Sequence, residues 1–209
     1  QLIGVMGVHV DDTAVGGMGP TFEKSIAQLK ARFPYRKWRR GAGEFCGAMY
    51  EQDPVSKEIV MSQQHFAETL KPDFIPKSAR PDTPLDASQT RVLRGINGSL
   101  NWLSSQSRPD LSVQTSLSQQ CFPKPHIGNL RDANNAIRRT KQHKSLSIRF
   151  QSIDPNRLTI CCHSDAAFAN VGVHTQAGYV LAFVDSKMHK GQVSPWVPAI
   201  WRSYRLPRT

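Results

Sequence analysis

Two adjacent carboxylates, Asp11 and Asp12, follow directly on the apolar run of residues 2–10. Like charges a few ångströms apart repel each other, and partial burial worsens the repulsion, so such a pair needs a neutralising partner. A divalent cation is one, because Mg²⁺ binds one or two protein carboxylates together with substrate phosphates. A pair of such metals supports nucleotidyl transfer. The alternative is that both are ordinary turn residues, since aspartate is frequent in turns.

The residues around the pair predict the element that carries it. Apolar side chains point to both faces of the run 2–10, which is typical of a central strand that is covered on both sides. Residues 13–17, small and apolar, predict a return strand beside it. The two carboxylates then lie at the tip of a β-hairpin.

The overall charge favours an anionic partner. The chain has 27 Lys and Arg against 16 Asp and Glu, a formal net charge of +11. Nucleic acid is one such partner, although a protein that attracts any polyanion without specificity would have the same net positive charge. The 39% hydrophobic content excludes a disordered chain and allows one large or two small domains in 209 residues.

The sequence supports neither a membrane protein nor a protein stabilised by disulfides. The opening apolar run is far shorter than the roughly 20 residues of a membrane span, so no membrane contact is expected. The four cysteines show no C-x-x-C spacing. This favours neither a zinc site nor a disulfide framework, and it fits a reducing, intracellular compartment. We expect them to be small buried hydrophobes, including the Cys161-Cys162-His163 run, where strand alternation points the two thiols to opposite faces.

Two basic segments could bind a polynucleotide backbone. The first places an aromatic ring among four cations and consists of Arg36, Lys37, Trp38, Arg39 and Arg40. Such a ring can stack on a base while the cations bind phosphate, but a solvated basic turn is equally open. The second lies at the end of a predicted helix and consists of Arg138, Arg139, Lys141 and Lys144.

Periodicity predicts an α+β chain. Apolar residues at helical spacing predict helices over residues 21–33, 62–70, 88–105, 109–121 and 127–143. Alternation of period two predicts short strands over 43–53 and 57–63, joined by a turn near Pro54. From Leu158 the same period predicts a three-stranded antiparallel meander over 158–165, 176–185 and 197–203.

Six motifs in order resemble the copia-type retrotransposon reverse transcriptases. HVDDTAVGG resembles the Y-V-D-D-x-x-x-x-G palm hairpin of that family, and LKARFPYRKWRRGAGEFCGAMYEQD its L-x-x-x-F…G-x-x-x-F-L-G-x-x-x-x-x-D stretch. IVMSQQHFAETL, PDTPLD and GSLNWLSSQSRPDLSVQTSLSQQCFPKPH are similar to its next three segments. CCHSDAAFAN…TQAGYVLAF is similar to Y-S-D-A-D-W-A…S-G-Y, where its ribonuclease H domain starts.

The resemblance implies three regions: the C-terminal part of a palm (1–61), a helical thumb and connection (62–150), and the start of a ribonuclease H-like domain (151–209). It implies that Asp11 and Asp12 belong to the palm metal cluster and that Asp165 is the first ribonuclease H metal ligand. His9 stands where the family usually has Tyr near the primer terminus, so altered nucleotide handling is expected.

The implied activity is RNA-directed DNA polymerisation with Mg²⁺, a template–primer duplex and dNTPs, together with ribonuclease H cleavage. The family needs another palm aspartate before Gln1 and further acidic ligands after Thr209, so we expect the 209 residues alone to be inactive. The alternative is a non-catalytic, basic nucleic-acid-binding remnant of a degenerate element.

Overall fold

The computed structural model describes residues 2–122, 124–171 and 174–206, with only the backbone of 168–171 and 174. The described chain is mixed α+β, and its three sheets are antiparallel. Its strands are β1 Gly4–His9, β2 Asp12–Gly17, β3 Ala42–Phe45, β4 Ala48–Gln52, β5 Ile59–Ser62, β6 Ile148–Phe150, β7 Leu158–Val171, β8 His174–Asp185 and β9 Trp196–Arg205. Its α-helices are α1 Pro20–Arg32, α2 Gln64–Thr69, α3 Ala87–Gln106, α4 Ser112–Gln119 and α5 Ile127–Gln142.

The predicted first hairpin forms. β1 and β2 pair in register from Gly4 opposite Gly17 to His9 opposite Asp12. The Phe22 ring of α1 lies directly against Gly4 and Gly17, where a Cβ atom on either residue would clash with it. These two glycines therefore let α1 approach the two-stranded ribbon formed by β1 and β2, at the end remote from its tip.

The prediction that β1 is a central strand covered on both faces is wrong for the described chain. β1 pairs with β2 alone, and Val5 is 68% exposed. Periodicity identifies residues suited to burial but does not supply the element that buries them. Among described residues, Phe22 lies against one end of the ribbon and Phe45 lies beside Gly7.

The second sheet has the order β3-β4-β5-β6 and differs from the prediction in two ways. The segment 43–53, predicted as one strand, is split by a two-residue turn at Cys46 and Gly47, whose φ angles are 51° and 72°. Paired left-handed residues suit a tight antiparallel hairpin, and glycine accepts this conformation readily. The short strand β6 was not predicted. It pairs with β5, so this sheet joins residues on both sides of the predicted boundary at 61/62.

The helical predictions are confirmed with small shifts. α1 ends at Arg32. The next residue, Phe33, precedes Pro34, and a residue before proline disfavours the helical conformation. The predicted helix 109–121 begins as a 3₁₀ turn, Pro109–Leu111, and continues as α4. α3 opens with a capping box in which the Asp86 carboxylate accepts the Gln89 backbone N–H. The apolar stripe of α5 packs with α3 in the main core, which includes Leu93, Leu100, Leu103, Leu130, Ala133 and Ile137.

The predicted meander is confirmed as β7-β8-β9. Its contact with the helices is polar: Trp201 Nε1 donates to the Ser104 carbonyl at 2.6 Å, and Gln176 Nε2 donates to Ser116 Oγ at 2.8 Å. The expectation of buried cysteines is wrong here. Cys161 is half-buried and Cys162 is exposed, because β7 is an edge strand whose faces are partly open in the described chain.

The end of α5 is fixed by a buried cation. Arg108 is 2% exposed; its Nε and Nη2 donate to the two Asp110 carboxylate oxygens at 2.8 Å, and its Nη1 donates to the His143 carbonyl at 3.1 Å. The guanidinium therefore binds one of the carbonyls that a helix end leaves without an intrahelical partner. This joins the 3₁₀ turn to the segment that leads into β6.

We expect Arg108→Met to lower the free energy of unfolding by about 2 kcal/mol, because hydrogen bonds of a buried cation to the Asp110 carboxylate and the His143 carbonyl are lost. Urea denaturation measures this. Arg149→Met, which breaks an ion pair with Glu58 from a 65% exposed side chain, is the matched control and should cost less than about 1 kcal/mol. Equal effects of the two substitutions would contradict the role of Arg108.

Thiol reactivity should follow exposure. Burial raises the pKa of the Cys121 thiol, whose S–H donates to the Ser118 carbonyl at 3.0 Å. Because the thiolate is the reactive form, a disulfide reagent at pH 8 should modify exposed Cys162 first and Cys121 last. Cys162→Ser should remove the fast phase, whereas Cys121→Ser should leave it intact. A fast phase that depends on Cys121 would be the contrary result.

Candidate metal and nucleic-acid site

The acidic tip is a tight and strained turn. Val10 and Asp11 connect β1 to β2, and Asp12 is the first residue of β2, opposite His9. Val10 has a φ of 52° and is 89% exposed. A β-branched residue in the left-handed region is an outlier with an energetic cost, and such conformations concentrate at functional sites.

The two carboxylates at this tip are free of protein partners. Asp11 and Asp12 are exposed, and neither side chain has a hydrogen bond or ion pair with any residue that the structure describes. Two adjacent hard oxygen donors suit Mg²⁺. Within the described ranges no group of three His, Cys, Asp or Glu residues lies close enough to hold a metal. The tip thus presents two exposed carboxylates, and the described residues bring no third potential ligand to them.

A tyrosine ties the tip to the first basic segment. The Tyr35 hydroxyl donates to Thr13 Oγ1 at 3.3 Å, one residue from Asp12. The Tyr35 ring meets the Trp38 ring edge-on at 5.3 Å between centroids. Sequence reasoning did not identify Tyr35; its position next to the aromatic and basic run is the signal that could have found it. The structure thus anchors the basic segment to the strand that carries Asp12.

The residues of this segment have different surroundings. The Arg40 Nη2 is 2.6 Å from a Glu23 carboxylate oxygen in an exposed ion pair. Trp38 is half-buried, with the Lys30 Nζ 4.2 Å from its ring centroid, so one ring face already has a neighbour. No acidic side chain pairs with Arg36, Lys37 or Arg39 in the part of the chain that is described. These three cations remain available to phosphate.

Two of the four cations predicted at the end of α5 have structural partners. Lys141 Nζ donates to the carbonyls of Glu68 and Leu70, both at 3.0 Å, and Lys144 Nζ donates to the Glu68 carboxylate at 2.7 Å. The hydrogen bonds from Lys144 and Gln64 hold the pKa of the Glu68 carboxyl below its usual range. Lys141 and Lys144 therefore hold the end of α2 against α5.

The other two cations are exposed. Arg138 Nη1 donates to the Asn135 side-chain oxygen at 2.8 Å, and Arg138 and Arg139 have no acidic partner among the residues described. They are the free part of the predicted basic helix end.

Asp165, the implied ribonuclease H ligand, is exposed on β7. The described residues form no group of three potential metal ligands around it. Its Oδ1 accepts the Ala166 backbone N–H at 2.8 Å. On the same strand, Cys161 Sγ and His163 Nε2 lie 3.4 Å apart. This thiol and imidazole contact was missed, although residues two apart on a strand share a face.

Comparison with protein-family models, with curated proteins and with solved structures finds no match. None of the helices that the structure describes has the length and apolar character of a membrane span.

Arg139 and Lys141, two residues apart on α5, should behave differently. Lys141→Gln removes two charged hydrogen bonds to carbonyls, so we expect it to lower the free energy of unfolding by about 1 kcal/mol. Arg139→Gln should leave stability within about 0.5 kcal/mol and weaken polynucleotide binding more than Lys141→Gln does. Urea denaturation and fluorescence anisotropy with a labelled oligonucleotide measure the two effects. If Lys141→Gln weakens polynucleotide binding more than Arg139→Gln does, Lys141 belongs to the binding surface.

Proposed function

We propose that this chain is part of a copia-type RNA-directed DNA polymerase, and that the tip of its first hairpin carries two ligands of the catalytic divalent cations. The observation that carries the proposal is the exposed pair Asp11 and Asp12, which has no partner in the described chain and follows a strained Val10. The order of the six sequence motifs supports the same assignment.

The surroundings of the tip support a polynucleotide as the substrate. Arg36, Lys37 and Arg39 lack acidic partners within the described residues and belong to the segment that Tyr35 anchors beside Asp12. Cations placed this way bind backbone phosphates without reading sequence. His9 lies opposite Asp12 in the ladder. Its proposed role is contact with the nucleotide or primer end.

Each group has a distinct proposed role. Asp11 and Asp12 would hold the cation, which would supply activation of an attacking hydroxyl and neutralisation of a leaving pyrophosphate. Asp12 belongs to the β1–β2 ladder, and Asp11 follows Val10 in the strained turn. Asp165 has the corresponding role in the attached ribonuclease H region.

A second candidate is a non-catalytic nucleic-acid-binding remnant. The observation that favours it is that no third metal ligand lies near Asp11 and Asp12 in the described chain. An open reading frame that continues on both sides of these 209 codons with the missing acidic residues would favour the polymerase. Stop codons would favour the remnant.

Direct metal binding tests the proposal. Mn²⁺, which can replace Mg²⁺ at oxygen sites, is titrated into the chain and free Mn²⁺ is followed by electron paramagnetic resonance. We expect binding that weakens about tenfold or more in the Asp11→Asn and Asp12→Asn variants, because each removes one of two ligands; a tenfold loss equals about 1.4 kcal/mol.

Asp132→Asn is the matched control, since Asp132 is an exposed aspartate on α5 and lies outside the proposed site. It should bind Mn²⁺ as the parent chain does. If all three variants bind Mn²⁺ equally, or the parent chain binds none, the hairpin tip is not a metal site and the polymerase proposal loses its principal support.

A further inference from the structure

A second basic feature lies away from the hairpin. A cavity of about 420 Å³ separates α5 from the connector that follows α2. Three cationic side chains line it: Lys77 from the connector, and Arg131 and Arg138 from α5. Of these, only Arg138 was identified from the sequence, because Lys77 and Arg131 belong to no run of basic residues.

The connector is fixed to α5 at two points. Asn134, 2% exposed, accepts the Asp73 backbone N–H at 2.8 Å and donates to the Asp73 carbonyl at 2.9 Å. Arg131 Nη2 donates to the Ala79 carbonyl at 2.5 Å. Lys77 lies between these anchors. The backbone that presents Lys77 opposite α5 is therefore held before any ligand arrives, which lowers the entropic cost of binding.

The cavity carries an excess of positive charge. Its three cations face a single lining carboxylate, that of Asp73, and none of the three forms an ion pair with an acidic side chain of the described chain. Arg138 instead donates to the neutral Asn135 amide. Cations gathered around one concavity repel each other, and a bound phosphate relieves that repulsion with charge-assisted hydrogen bonds.

An exposed aromatic ring lies in the same connector. Phe74 is 83% exposed, although it follows Asp73, whose backbone is held by Asn134, and precedes the cavity-lining Ile75. A phenylalanine this exposed gains little from folding. Phe74 does not itself line the cavity but lies in the segment that presents Lys77. Proteins that bind unpaired nucleotides combine phosphate-binding cations with aromatic rings on which a base can stack.

We propose that this cavity and Phe74 bind one nucleotide of single-stranded nucleic acid. Lys77, Arg131 and Arg138 bind its phosphate, and the base stacks on Phe74. The single strand is favoured over a duplex because paired bases are already stacked and cannot offer a face to Phe74. The proposal extends the nucleic-acid binding of the proposed function, but it uses neither the hairpin nor a metal.

The test is fluorescence anisotropy of a labelled 12-residue thymidine oligonucleotide with the full 209-residue chain, in EDTA and over a range of salt. Phe74→Ala should weaken binding at least about fivefold without changing the salt dependence. Lys77→Gln and Arg138→Gln should each weaken binding and reduce the slope of log K against log salt by about 0.7, the value for one phosphate contact on a single strand.

Matched controls separate this site from general basic attraction. Lys190→Gln removes an exposed lysine of the segment between β8 and β9, and Phe183→Ala removes a partly exposed ring of β8. Both should bind the oligonucleotide as the parent chain does. Thermal unfolding followed by circular dichroism checks that every variant is folded.

Three results would overturn the proposal: Phe74→Ala with unchanged affinity, Lys77→Gln and Arg138→Gln with unchanged salt slopes, or equal losses for the oligonucleotide and a 12-base-pair duplex. Equal losses would identify a general electrostatic surface. Because the assay contains EDTA, its outcome is independent of the Mn²⁺ titration, and either proposal can fail without the other.

Discussion

The packing of α5 against α3 is the constraint on which most of the described structure depends. Leu130, Ala133 and Ile137 form a stripe with at most 1% exposure, and burial of that stripe sets the rotation of the helix. Three polar contacts then leave α5 in different directions: Asn134 to the connector, Lys141 to the end of α2, and the His143 carbonyl to Arg108. The hydrophobic stripe thus positions the basic cavity, the end of α2 and the segment that leads into β6.

The acidic hairpin is held far less firmly. It is a two-stranded ribbon whose contacts include Phe22 at its base, Tyr35 at Thr13 and Phe45 beside Gly7. Ribbons of two strands have little stability of their own, because most of their apolar side chains stay in water. Val5, Met6 and Val8 are all more than half exposed. A metal bound at the tip would need additional cover over the ribbon before its ligands were held rigidly enough for chemistry.

Sequence reasoning predicted the elements whose signal is periodic. α1, α3, α5 and the final meander formed close to their predicted positions, because long amphipathic patterns have few alternative structures. It missed the turn at Cys46 and Gly47, where a single glycine inside an apolar run gave little warning of a chain reversal. It also missed β6, whose three residues are a strand only because β5 is there to pair with them. Two strands that are almost ninety residues apart in the chain can pair without any pattern in the local sequence that indicates it.

The roles of the basic residues show why charge alone identified only part of the candidate sites. Lys141 and Arg139 are near neighbours on one helix, yet the first binds two carbonyls of α2 and the second faces solvent. The difference lies in the acceptors that tertiary structure brings within 3.0 Å, which residue type does not encode. Lys77 and Arg131 illustrate the converse, since they are far apart in sequence and line one cavity because Asn134 and Arg131 hold the connector against α5.

The described chain leaves charge of both signs unneutralised, in separate places. Asp11 and Asp12 are free at the hairpin, and the cations of the cavity and of residues 36–39 have no acidic partners within the ranges described. No ion pair joins the two sets among the described residues. A polyanion with its divalent counterions satisfies both sets at once, because phosphates neutralise the cations and the metal neutralises the carboxylates. This electrostatic complementarity is the physical reason for favouring a polynucleotide over other anions as the partner.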